Sequence, residues 1–273
     1  MIWSREQLIE IVGRSPALVA AQDRAGWLAL FARDAVLEDP VGAAPVPRDM
    51  LGRFFDTFIA GNAITFAVRE DLTAGSEVVR DVVIHTRLAT GLEIAVPAYL
   101  LYEVVEEDGA PRLRRMRAVW DLRRRSAGAL AAGWRGLVTL SAVSVQMLKV
   151  QGPSGVLGYS RGLVSGIFGR GPAAAERLAA AISAGEVEAA AALFEPEVWV
   201  EFPVGVRLPV RDWLVLLAGA RVRVEAATAA GWLTAARFDV AGGAGGVVFL
   251  EFAPASGKIA AARFFARDVP QSR

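Results

Sequence analysis

The chain reads as an α+β protein built from two tandem units, and three observations point there. Helical patterns precede runs of alternating apolar and polar residues, and this order occurs twice. The alternating runs are joined by turns short enough for antiparallel hairpins, at Thr90-Gly91 and Asp108-Gly109. Finally, LFARDAVLEDPVG at 30–42 returns as LFEPEVWVEFPVG at 193–205, with Phe202 standing where the first copy has Asp39. A length of 273 residues exceeds the roughly 100–200 of one domain, and 54% hydrophobic residues suffice for two cores.

In chain order, Arg5 to about Arg33 has helical spacing, with Leu8, Ile9 and Val12 and then Trp27, Leu30 and Phe31 recurring at three- and four-residue steps. Pro16 marks a break or a second helix start. This pattern sets Asp39 between an apolar helix and a proline turn. Arg48 to Ile59 predicts a short helix with Leu51, Phe54, Phe55 and Phe58 on its apolar side. Four strands follow. Ile64, Phe66 and Val68 alternate with polar or small residues, and the same parity carries Glu70 inward. On the second strand Val82, Ile84 and Leu88 share one face and Asp81, His85 and Arg87 the other, which makes His85 a surface residue. Leu92, Ile94, Val96, Ala98, Leu100 and Tyr102 form the inner row of the third, and Met116, Ala118 and Trp120 that of the fourth. The arginines at 112, 114, 115, 117 and 123–125 read as solvated surface.

Residues 123–171 fit neither half. Gly128 to Val150 predicts a helix of small and apolar residues, and the remainder is punctuated by glycine. Arg135 and Lys149 bracket an uncharged run too short to span a membrane. The segment reads as a hydrophobic connector packed across two domains, as a lid over a pocket, or as a helix in contact with a membrane surface. From Pro172 the plan of the first half returns: helices to Phe194, the Phe-Pro-Val-Gly turn, and strands at 221–227, 232–240, 247–252 and 259–265. The glycine cluster at 242–246 lies between two strands and so is a hairpin tip rather than a phosphate loop. The domains expected are therefore 1–122, a connector at 123–171, and 172–273.

Composition narrows the function. Thirty basic against twenty-nine acidic residues leave no field for nucleic acid. The absence of cysteine and a single histidine, His85, argue against disulfides, thiol chemistry and a metal site, and no cofactor motif is found. The start of the chain has charges at Arg5 and Glu6 and no signal-like apolar core, which predicts a cytoplasmic protein.

The run from Leu30 to Gly42 closely resembles the segment that carries the catalytic aspartate of ketosteroid isomerases, and Met116-Arg117-Ala118-Val119-Trp120 resembles their last strand. Gly257-Lys258-Ile259 with Arg263 does the same in the second half. These isomerases belong to the superfamily with the nuclear-transport-factor-2 fold, together with SnoaL-type polyketide cyclases and epoxide-opening cyclases. The resemblance covers roughly 5–122 and, more weakly, 173–268. It implies cone-shaped domains, each with helices closing a curved antiparallel sheet over a pocket.

It also implies roles. Asp39 matches the general base, although an aspartate before proline is equally at home as a turn residue. The isomerases' oxyanion donors, a tyrosine and a protonated aspartic acid, fall on Ser15 and Ala98, with Tyr99 facing outward. Glu70, carried inward by parity, is the candidate second acid, as in the epoxide-opening cyclases. Trp27, Phe54, Phe58, Phe66, Met116 and Trp120 are core by composition and pocket wall by resemblance. In the second half the three positions fall on Leu178, Phe202 and Val248, which cannot move a proton, so that half is expected to be silent. It would then stand in for the second subunit of a dimer, as an intramolecular pseudo-dimer or in a homo-oligomer. The expected function is an isomerase-like or cyclase-like enzyme acting on a hydrophobic polycyclic or polyketide-like molecule. The alternative is a non-catalytic carrier or scaffold for an apolar ligand.

Overall fold

The computed structural model describes residues 3–88, 91–131, 133–242 and 244–267, so Thr90 of one predicted turn and Gly243 of the glycine tip lie outside the described residues. The chain divides into two compact units, Met1–Ser165 and Gly166–Arg273. Residues 123–165, expected as a connector, belong with the first.

The first unit opens with helix α1 (Arg5–Ala20), started by a capping box in which Ser4 and Gln7 satisfy each other's backbone N–H groups. Pro16 does not end it. The helix runs through the proline because Leu8, Ile11, Val12 and Val19 stay on one buried stripe, and that burial outweighs the backbone bond proline cannot donate. Helix α2 (Arg24–Ala29) is capped by Asp23, whose carboxylate accepts from Gly26 N–H.

The predicted helix to Arg33 is corrected here. Residues Phe31–Glu38 form strand β1, which pairs with β2 (Val46–Pro47) and runs parallel to β6 (Ala110–Val119). Helical spacing at Trp27, Leu30 and Phe31 was real but stopped at the strand, where long-range pairing decided the conformation. After a 3-10 turn at Arg48–Met50 and helix α3 (Leu51–Phe58), strands β3 (Ala63–Ala74), β4 (Glu77–Arg87) and β5 (Glu93–Glu107) complete a six-stranded sheet of order β2-β1-β6-β5-β4-β3. The predicted Asp108-Gly109 turn joins β5 to β6, with both residues at positive φ.

Helices α4 (Leu122–Ala131) and α5 (Trp134–Val164) follow the sheet. Helix α5 is two helical segments meeting at Gly152, whose φ of 73° and ψ of −176° are not helical. Its glycines are packing devices. A Cβ at Gly158 would come within 2.8 Å of Ala44 Cβ, and Ala44 N–H donates to Gly158 O at 2.9 Å. The helix thus lies close against the turn that follows Asp39. Trp134, Leu148, Leu157 and Val164 on α5 are exposed, and among the described residues no helix is long and apolar enough to cross a membrane.

The second unit repeats the plan with α6 (Arg170–Ala184), α7 (Val187–Ala191), β7 (Trp199–Glu201), β8 (Arg207–Pro209), α8 (Val210–Leu217), β9 (Val222–Ala230), β10 (Leu233–Val240), β11 (Ala244–Phe252) and β12 (Ile259–Ala266). Its sheet order, β8-β7-β12-β11-β10-β9, is the first with every strand advanced by six, including the parallel pair, β7 with β12. The repeated glutamates keep one job: Glu38 accepts from Arg115 Nε, and Glu201 from Arg263 Nε, each at 2.9 Å across that parallel pair. The fold is α+β, two tandem domains of the same topology, with neither sheet closed into a barrel.

Candidate active site

Strand parity aims Asp39. On β1, Leu37 stands opposite Met116 of β6, so Leu37 and Asp39 share the face that carries Met116, Ala118 and Trp120. Backbone bonding continues past the strand, with Val41 N–H donating to Ala118 O at 2.9 Å. The face is concave, and helices α1, α3, α4 and α5 close it over a cavity of about 310 Å³, within the size range of small-molecule sites. All six residues expected as wall, Trp27, Phe54, Phe58, Phe66, Met116 and Trp120, line it. Trp27 is held by Phe31 and Phe55 at ring distances of 4.7 and 5.6 Å, and its Nε1–H donates to Ser15 Oγ at 3.1 Å.

Asp39 also lines the cavity, and it is the only carboxylate among the described lining residues. Trp120 Nε1–H donates to Asp39 Oδ1 at 2.7 Å, a short charge-assisted bond that fixes the carboxylate plane. Desolvation pushes the Asp39 pKa above the ordinary carboxylate value, while the Trp120 bond and the charge of Arg125 partly hold it down. Burial likewise pushes up the phenols of Tyr102 and Tyr159, which also line the cavity, so both stay protonated donors.

Glu70 is not among the lining residues, and its expected place across from Asp39 is corrected. A β-bulge between Val68 and Glu70 inserts Arg69 as an extra residue: Val68 pairs with Val82, but Glu70 pairs with Asp81. The bulge turns Glu70 to the face of Asp81 and Tyr99, away from Ala98, Leu100 and Tyr102. It brings Asp71 opposite Arg80, a buried guanidinium that donates to both Asp71 oxygens at 2.8 Å. A buried arginine left without that fork would be costly, which gives the bulge its physical reason. The paired-carboxylate arrangement therefore falls.

The two isomerase donor positions also resolve. Ser15 lines the cavity with its Oγ taken by Trp27, and Ala98 is buried in the sheet without lining the cavity. What the sequence reading missed comes from α4 and α5. Arg125, assigned there to solvated surface, lines the cavity with its guanidinium carbon 5.2 Å from the Trp120 ring centroid. Tyr159 stacks on Phe58 at 5.3 Å. The usable signal was the periodicity of α5, which sets Val156, Tyr159 and Leu163 at three- and four-residue steps toward one wall. A second hollow of about 180 Å³ lies beyond Phe58 and Tyr159, lined by Arg53 and Gln151 among others, and Asp39 borders it too. Among the described residues, no three His, Cys, Asp or Glu side chains converge as metal ligands.

Leu178, Phe202 and Val248 border a void of only about 20 Å³, because Phe202 packs within 5.2 Å of Phe264 and 6.1 Å of Trp213, and Phe238 lies 5.0 Å from Phe264.

No curated protein sequence matches the chain. Among solved structures it is similar to RV0760c from Mycobacterium tuberculosis, solved in complex with estradiol-17beta-hemisuccinate, at 31% identity and a TM-score of 0.39 over 42% of this chain and 95% of that one. It is also similar to Delta 5-3-ketosteroid isomerase from Mycobacterium sp. (27% identity, 42% and 94% covered, TM-score 0.39). A third similarity is to an LEH-like epoxide hydrolase of M. tuberculosis (18%, 50% and 96%, TM-score 0.40). The SnoaL-like domain family matches residues 12–115, the stretch that holds Ser15, Asp39 and the first sheet up to the middle of β6. The first unit of this chain belongs to the SnoaL-like family, within the nuclear-transport-factor-2-like superfamily.

Proposed function

We propose that the first unit is an acid–base enzyme of the isomerase or cyclase type, which binds an uncharged, mainly apolar small molecule and uses Asp39 as general base. The observation that carries this reading is one carboxylate, desolvated and oriented by Trp120, in the wall of a cavity of about 310 Å³. A raised carboxylate pKa brings the base closer to working pH and strengthens it toward carbon acids. Oδ1 is engaged by Trp120, and no described residue donates to Oδ2, the oxygen left to take a proton. The second unit, with Phe202 at the matching position, contributes no proton transfer of this kind.

A probe of the expected chemistry is 2-tetralone in deuterated buffer, with exchange of its α-protons followed by NMR. The wild-type protein should accelerate exchange, and Asp39→Asn, which keeps the acceptor for Trp120, should lose about 100-fold or more of that acceleration. Saturable binding of the ketone without faster exchange would instead favour the carrier reading, with the same cavity and no catalysis.

A further inference from the structure

The fold's ordinary oxyanion positions hold Ser15 and Ala98, yet a base that takes a proton from carbon needs a partner for the negative charge it creates. We propose that Arg125 of α4 and Tyr159 of α5 supply that partner, so that the substrate is a carbonyl compound whose enolate oxygen lies against these two groups. This rests on Asp39 acting as the base, and it goes further by assigning the electrophilic half of the site to helices beyond the family-matched residues 12–115.

Three features support the assignment. Arg125 lines the cavity beside Trp120, the residue whose indole N–H holds Asp39, so cation and base are fixed by one side chain, one over its face and the other at its edge. Arg125, Asp39 and Tyr159 line the same cavity, where Asp39 and Tyr159 both feel the charge of Arg125 and Arg125 that of Asp39. Arginine stays protonated even where burial disfavours its charge, so Arg125 remains a cation throughout the cycle. The charges also balance. Before reaction, Asp39 carboxylate offsets Arg125. When Asp39 takes the α-proton, the C–H bond breaks and an O–H bond forms on Asp39; the C–H electron pair becomes the enolate double bond and the carbonyl π pair moves onto oxygen. The negative charge has then passed from Asp39 to the substrate oxygen with no net change in the cavity, and Arg125 faces it at each stage. Return of the proton to a different carbon gives an isomerase; attack of the enolate on a second carbonyl carbon of the same molecule, whose π pair moves onto its own oxygen and takes the proton back from Asp39, gives a cyclase. A substrate already carrying a carboxylate would leave the cavity net negative, so a neutral ketone or ester fits and a free acid does not.

The test uses 2-naphthol, an aromatic enol whose neutral and anionic forms differ in absorbance. Bound to the wild-type protein it should ionise at lower pH than in water, by at least a tenfold change in ionisation constant. Arg125→Gln should remove most of that change and Tyr159→Phe part of it. Arg125→Lys should restore some, which guards against a merely structural loss. Arg124→Gln, on the exposed side of α4, should behave as wild type. In the tetralone assay Arg125→Gln should lower exchange by about 100-fold, as expected for loss of an oxyanion donor. Naphthol that binds but ionises as in water, or whose shift survives Arg125→Gln, overturns the inference and leaves Asp39 as base intact. Failure of naphthol and tetralone to bind at all overturns the cavity reading, and this inference with it.

Discussion

If α5 is part of the site, crowding its seat should damage both stability and chemistry, and Gly158 is the place to press. An added Cβ there meets Ala44 Cβ at 2.8 Å, closer than such atoms pack. Gly13, inside α1, is the contrasting case, since its nearest heavy atom would be Arg80 Nη2 at 3.9 Å, an ordinary contact. Glycine to alanine within a helix gains about 0.8–1 kcal/mol at either position. Only Gly158→Ala pushes a methyl into occupied space, at about 1–3 kcal/mol, and it puts the Ala44–Gly158 hydrogen bond at risk for roughly another 1 kcal/mol. Gly13→Ala should therefore stabilise by up to about 1 kcal/mol, while Gly158→Ala should be neutral to destabilising by as much as about 3 kcal/mol. For a unit of this size about 2–4 °C accompanies each kcal/mol. The two melting midpoints, followed by circular dichroism, should separate by about 2 °C or more, with Gly158→Ala the lower. Because Tyr159 is the next residue, tetralone exchange should also fall in Gly158→Ala and hold in Gly13→Ala. Midpoints that rise together would refute the packing argument, and unchanged exchange in a destabilised Gly158→Ala would remove α5 from the site.

Asp39 should be a burden on stability. Its pKa is raised in the folded protein, so the native state holds the proton more tightly than the unfolded chain does. The resulting cost is absent below the unfolded value of about 3.9, grows as pH rises through it, and is complete above the folded value. Tyr102, Tyr159 and Arg125, which face the carboxyl from β5, α5 and α4, keep their charge states across that window. Asp39→Asn should thus exceed wild type in stability at pH 7 and converge with it near pH 3, by urea denaturation; a gap that widens on acidification would contradict the desolvated-carboxylate picture. In the second unit, Phe202→Ala removes a ring packed against Phe264 and Trp213. It should cost about 3 kcal/mol, the low end for a phenylalanine because Phe202 is only half-buried. A loss under about 1 kcal/mol would mean the aromatic plug is not what holds this core.

Period-two patterns were easy to read where a strand has one wet face, so β3 to β6 and their inner rows could be named residue by residue. Strands β1, β2, β7 and β8 were not legible: β2, β7 and β8 are only two or three residues long, and β1 takes its conformation from parallel pairing to residues some eighty positions away, as Leu37 does with Met116. Parity failed at Glu70 for a related reason. Alternation holds only while the ladder keeps step, and the demand of buried Arg80 for Asp71 breaks step one residue before Glu70. Arg125 lay in a run of three arginines whose composition spoke for solvent; only the packing of α4 over the sheet singles out the third.

The two copies of one segment show how little separates a site from a core. Both sheets have the same strand order and the same glutamate–arginine tie across the parallel pair. At the position after that glutamate, aspartate borders a cavity of about 310 Å³ in one unit, and phenylalanine borders a void of about 20 Å³ in the other. A carboxylate at Phe202 would be desolvated among Trp213, Phe238 and Phe264, with no cation among the described residues that border that void to match Arg125; the residue facing it from the last strand is Phe264. Charge at this position is tolerable only with its retinue, the indole that binds one oxygen and the guanidinium that balances the charge. Grafting Asp alone into the second unit should therefore yield a destabilised protein with a protonated carboxyl and no gain in tetralone exchange. A gain in exchange from Phe202→Asp alone would show that the fold, rather than the groups around Asp39, is sufficient for the base.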